Sequence, residues 1–208
     1  MATTKPGDNL KLESGWLCLD FSNTMDWHAS EHPVESLTSY EALIAWTRAV
    51  NLLPERTAQQ LLRVANQHPT EAARVLDRAV ALREAIYHIF SAAAAGKSPS
   101  ADDQAAFNVE FSRSLAKSRL AWTKTTFEWG RQGEDGDLDQ MLWWIMRSAT
   151  DLLISEDIQR VGECADDRGC GWLFYDTSRN RTRQWCSMRG CGNRAKAKRH
   201  QEKVKSEE

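Results

Sequence analysis

The polar and apolar positions between residues 38 and 154 repeat mostly with a helical period. Thr38 followed by Glu41 has the form of a capping box, and Leu43, Ile44, Trp46, Ala49, Val50 and Leu53 give one apolar face beyond it. Pro54 suits the first turn of the next helix, where its missing N–H has no intrahelical partner to lose; Leu61, Leu62, Val64 and Ala65 carry that helix to about Gln67. Pro69 opens another, with Ala72, Val75, Leu76, Ala79, Leu82, Arg83, Ile86 and Phe90 inward and neither Gly nor Pro inside it until Gly96. Ser100 with Asp103 predicts a cap for a helix over 101–117. Asp137 with Gln140 opens a helix over 138–154, where Trp143 and Trp144 widen the apolar stripe and read as packing residues.

The remaining patterns are shorter. Trp16 to Phe21 is an apolar run whose period does not separate a strand from a buried helix. Residues 118–129 are rich in Thr and aromatics and read as one strand, or as one arm of a hairpin whose partner is not evident. Residues 1–14 are polar, contain Pro6 and Gly7, and are expected to fray.

Composition adds bounds rather than identity. A chain of 208 residues and 23.6 kDa is long enough to enclose a sizeable core. Its 41% hydrophobic content with five Pro argues against wholesale disorder or a collagen-like chain. No apolar run reaches membrane-spanning length, and the opening residues lack the apolar segment of a secretory signal, so the expectation is a soluble cytoplasmic protein without a membrane partner. The net charge of −2 hides a division. Residues 1–159 carry 15 basic and 22 acidic side chains, whereas residues 160–208 carry 12 and 7. Such an asymmetry points to a body indifferent to polyanions and an end that can approach them, or else to a solvated tail.

The body holds no recognisable catalytic set. His28 and His32 are four apart, but Ala29, Ser30 and Glu31 between them do not place the glutamate of a zinc peptidase. No glycine-rich phosphate loop follows a strand. An enzyme is therefore not expected, and the N-terminal domain is expected to receive a small ligand or to mediate homodimerisation.

The cysteines divide the chain again. Cys18, within Trp16–Phe21, reads as a small buried hydrophobe. Cys164, Cys170, Cys186 and Cys191 lie within 28 residues, separated by five, fifteen and four residues. Two short-spaced pairs across a medium gap have the topology of a tetrahedral Cys₄ site for one structural Zn²⁺, with disulfides as the alternative. Arg168-Gly169-Cys170-Gly171 recurs as Arg189-Gly190-Cys191-Gly192, and glycines beside a ligand permit positive φ and close backbone approach. Trp172 to Tyr175 reads as a strand, with Arg181 to Trp185 as its antiparallel mate. Fewer than 50 residues bury little, so metal would supply the folding free energy.

Beyond Cys191, residues 193–204 favour a helix bearing Arg194, Lys196, Lys198 and Arg199 around its axis. Together with Arg179, Arg181 and Arg183 these are candidate contacts to DNA phosphates. Asn193 is a candidate helix cap or turn-closing residue, and Arg194 is a candidate either for phosphate or for an acidic partner such as Asp176. RNA, with Trp172, Tyr175 and Trp185 stacking on bases, and a non-enzymatic protein-interaction module are the competing readings.

The run Gly171-Trp172-Leu173-Phe174-Tyr175-Asp176-Thr177-Ser178-Arg179-Asn180, with Cys186-Ser187-Met188 and Cys191-Gly192-Asn193-Arg194, resembles the CGNR zinc-finger family. In that family the finger follows an ABATE domain, to which residues 14–158, including Leu19-Asp20-Phe21-Ser22-Asn23-Thr24, are similar. The resemblance implies a stress-induced transcription regulator, Cys164, Cys170, Cys186 and Cys191 as metal ligands, and Asn193 and Arg194 as the polar pair of the signature. The fold class expected is a mostly α N-terminal domain with a minor β element, followed over 159–205 by a small zinc-bound β-hairpin/helix module.

Overall fold

The computed structural model describes residues 12–207. Of the stretch 1–14 expected to fray, all but Leu12, Glu13 and Ser14 lies outside the described residues, and Ser14 itself is buried and hydrogen-bonded. The apolar run after it is a short helix, α1 (Leu17–Ser22). Its Asp20 carboxylate accepts the Glu13 and Ser14 amides at 2.9 and 3.1 Å, which ties the incoming chain to the first turn.

Two two-residue strands, β1 (Met25–Asp26) and β2 (Val34–Glu35), pair antiparallel before the main helices begin. Helix α2 (Tyr40–Ala49) starts one residue later than the Thr38 box implies: Ser39 is the cap, and its hydroxyl accepts the Ala42 amide at 3.2 Å. Helix α3 (Glu55–Gln67) has Pro54 as its cap, and α4 (Pro69–Ala94) has proline in its first turn. Gly96, at φ +66°, follows the end of α4 in a conformation that disfavours a side chain. Helix α5 (Ala101–Ala116) is capped by Ser100, whose hydroxyl accepts the Asp103 amide at 3.0 Å. Helix α6 (Gln140–Leu153) completes the body.

Helix α4 is the axis of the fold, in contact with α1, α2, α3 and α5. Leu19, Phe21, Leu43, Ile44, Leu61, Ile86, Phe90, Met141 and Leu142 are fully buried around it. Cys18 is enclosed among them, and burial pushes its thiol up to about 12, in keeping with a packing role. Arg83 is also enclosed, at 1% exposure. Its guanidinium makes a bidentate pair with Glu35 at 2.6 and 2.7 Å and a further pair with Glu84 at 2.8 Å, so the buried charge is matched on both edges.

Residues 118–131 supply both arms of their own hairpin, β3 (Ser118–Trp122) and β4 (Phe127–Arg131). The missing partner of the predicted strand is thus the second half of the same segment. A 3₁₀ turn (Glu156–Arg160) leads into β5 (Val161–Glu163), which pairs antiparallel with β6 (Leu173–Tyr175). The expected mate for β6 was 181–185, and this is corrected. That segment instead closes across the cysteine loop, where the Ala165 amide donates to the Gln184 carbonyl at 2.9 Å. A π-helical turn (Met188–Gly192) runs into α7 (Asn193–Glu207). The mostly helical class with a small strand-and-helix module at the C-terminal end is what the chain adopts. No helix among the described residues is long and apolar enough to cross a membrane.

Candidate metal centre

Cys164 follows β5, Cys170 precedes β6, Cys186 ends the loop after β6, and Cys191 lies in the π-helical turn. The fold brings all four sulfurs within 4.8 Å of one another, while each remains a free thiol. The Cys170–Cys186 and Cys186–Cys191 sulfurs are 3.8 and 3.6 Å apart. Zinc–sulfur bonds of about 2.3 Å in a tetrahedron require edges of about 3.8 Å, so the separations fit one Zn²⁺ and are far too long for disulfides. Four thiols this close cannot all be ionised without a counter-charge among them. Four such groups ionise together only around a cation, and a divalent soft-tolerant ion resolves the conflict. The donor set is a single structural zinc site.

The groups around the sulfurs orient them. The Arg194 guanidinium donates to the Cys191 sulfur at 2.8 Å and to the Asp166 carboxylate at 2.8 and 3.0 Å. Asp166 is buried and also accepts from the Arg168 backbone and side chain at 3.1 and 3.3 Å. Arg168 and Arg194 both lie over the Trp27 ring, at 5.1 and 5.3 Å. Arg194 therefore neutralises thiolate charge from the outside and fixes the first turn of α7 to the cysteine loop. The alternative partner Asp176 is ruled out by this pairing: Asp176 instead accepts the Ser178 and Arg183 amides at 2.8 and 2.9 Å and closes its own loop. Asn193 reaches back to the Arg189 carbonyl at 3.4 Å, closing the turn before the helix.

The finger is seated on the body by backbone-level contacts. The Asn23 carboxamide donates to the Leu173 carbonyl at 2.9 Å and accepts the Leu173 amide at 2.9 Å, imitating a strand neighbour. Its nitrogen also donates to the Ser14 hydroxyl at 2.7 Å, and the Tyr175 amide donates to the Ser14 carbonyl at 2.9 Å. The Trp172 indole donates to Asp26 at 2.9 Å. The two Arg-Gly-Cys-Gly copies differ in use. Gly169 and Gly171 have φ of +82° and +68°, and a Cβ on either would meet the Ala29 backbone at 2.6 and 2.8 Å. In the second copy, Gly190 and Gly192 lie inside the π-helical turn.

The seven cations proposed for phosphates are not alike. Arg183 points inward: it donates to the carbonyls of Trp185 and Tyr175 at 3.0 and 3.3 Å and to that of Cys186, and lies 4.4 Å over the Phe174 ring. Lys198 pairs with Asp167 as Arg194 does with Asp166. Arg194 and Lys198, four apart, share the side of α7 that meets the cysteine loop, but Arg194 reaches the buried Asp166 whereas Lys198 and Asp167 are both more than half exposed. Lys196 and Arg199 are exposed, with Arg199 5.6 Å over the Trp185 ring. Arg179 is exposed too, and Arg181 is exposed while donating to Gln159 at 3.2 Å.

The His28 Nε2 donates to the Glu84 carboxylate at 2.9 Å and the ring packs on Tyr87, while His32 is exposed. Sequence reasoning missed Asp166, Trp27, Asn23 and Asp26 as members of the site. Asp166 had one signal, its place inside the first cysteine interval, whereas the other three are about 140 residues away along the chain. Their role depends on docking that no local pattern records.

The family model ABATE, whose description reads "Putative stress-induced transcription regulator", matches residues 15–156. The model described as CGNR zinc finger matches residues 160–203. No curated protein matches the chain.

Proposed function

We propose, for a chain that belongs to the ABATE family and ends in a CGNR zinc finger, that its zinc holds α7 in place as a DNA-contacting helix of a non-enzymatic transcription regulator. The observation that carries this reading is the division of α7 into two sides. Arg194 ties one side to the buried Asp166, with Lys198 paired to Asp167 in solvent beside it, and Lys196, Arg199 and His200 are exposed along the other. A helix fixed by paired cations and presenting further ones is suited to backbone phosphates. Arg179 and Arg181, on the loop after β6, are further exposed cations of the finger. Arg183 and Arg194 act as framework in this reading rather than as nucleic-acid contacts, whereas Lys198 is exposed and keeps its place among the candidate contacts.

A module of this size with few outward cations binds duplexes weakly and with a steep salt dependence. The test is binding of the zinc-loaded chain to pooled random duplexes across a salt series, beside a Lys196→Ala/Arg199→Ala variant. The expected result is weaker binding at every sequence and a salt slope lower by about 2, one per phosphate contact removed. Affinity and slope equal to the unsubstituted chain would remove the DNA reading.

A further inference from the structure

The β3–β4 hairpin leaves one apolar face uncovered. Its register sets Leu120 opposite Trp129 and Trp122 opposite Phe127, and alternation puts all four on the face shared with Ser118. Leu120, Trp122 and Phe127 are 59%, 64% and 61% exposed. At the foot of the hairpin this face runs into an apolar groove of about 200 Å³, lined by Phe111, Leu115, Trp129, Trp143 and Ile154. Ile154 is 81% exposed. Leu115, Ile154 and the four hairpin side chains together expose on the order of 800 Å², above the ~300–600 Å² of the largest patch on a typical monomer. It equals the ~800 Å² that each partner contributes to a standard interface.

We infer that this face is the contact between two copies of the chain, related by a two-fold axis. A symmetric interface needs one surface to be its own complement, and this surface carries both halves of a fit. Trp122 and Phe127 form an edge-to-face pair, ring centroids 5.0 Å apart, that stands as a ridge at the hairpin's tip. The groove at its foot is of a size for an aromatic side chain. The ridge stands four residues along β3 from Ser118 at the groove, roughly 13 Å, so two hairpins laid antiparallel set each ridge on the partner's groove. The groove offers no anchor to a charged partner, because its Arg147 is paired with Asp151 at 2.5 Å and lies 4.7 Å over the Trp129 ring. The assignment does not rest on the DNA reading; it would bring two fingers into one particle whatever they touch.

Sedimentation of the full zinc-loaded chain from about 1 to 100 µM tests it. The expected result is a dimer dissociating in the low micromolar range or below. Trp122→Glu/Phe127→Glu on the ridge and, separately, Ile154→Glu beside the groove should each weaken association at least tenfold. These positions are solvent-exposed, so far-UV circular dichroism and zinc content should stay at the unsubstituted values. A chain that is monomeric at about 100 µM, or folded variants that associate as tightly as the unsubstituted chain, would overturn the assignment.

Discussion

In the helical body, Phe21, Ile86, Phe90 and Met141 are withdrawn from water by one another, whereas the finger's own buried cluster is three cysteines edged by Trp27, Trp172 and Trp185. The body gains its stability from apolar area, at about 25 cal/mol per Å² removed from water. The finger shares in that core through Val161 and Leu173, but has little such area of its own. It has instead four ligands, a carboxylate–guanidinium clamp and a row of hydrogen bonds to the body. The difference teaches where each part is vulnerable: the body to loss of side-chain volume, the finger to loss of a single polar atom.

The sharpest way to break the finger and spare the body is Cys170→Ser. A structural zinc contributes about 10–16 kcal/mol in isolated fingers, and removal of one thiolate forfeits several of these. The expected outcome is a chain with less than one zinc by metal analysis, whose cooperative melting of α1–α6 persists. Asn23→Ala comes next in size. It leaves the buried amide and carbonyl of Leu173 without partners, an expected loss of about 2–3 kcal/mol by chemical denaturation. A loss under 0.5 kcal/mol would mean that the finger is not held by this carboxamide. Arg194→Lys is the smallest change, keeping the charge but not the fork that spans Asp166 and Cys191. Competition with a chromophoric chelator should show zinc affinity reduced about tenfold.

The same contrast explains what could be read from the chain beforehand. Helices α4 and α5 were legible to within a residue because proline, serine caps and a 3.6-residue apolar period are local signals. The four cysteines were legible because their spacing is itself the geometric constraint. The pairing of β6 with β5 was not, since strand choice there is settled by the cysteine loop between them and by Asn23 reaching across. Nor could sequence divide the cations: Arg183 and Lys196 look equivalent in a basic run, yet carbonyls of the cysteine loop surround one and water the other. Arg83, placed on an apolar face by its period alone, is buried because Glu35 from a short strand meets it.

Hydrogen exchange followed by mass spectrometry, on the zinc-loaded chain and after chelation, tests most directly whether metal orders the finger independently of the body. The account predicts one zinc per chain, and on chelation a loss of amide protection confined mainly to residues 160–207 while the helices between 40 and 94 keep theirs. Protection of residues 160–207 unchanged by chelation, or lost equally across the body, would contradict it.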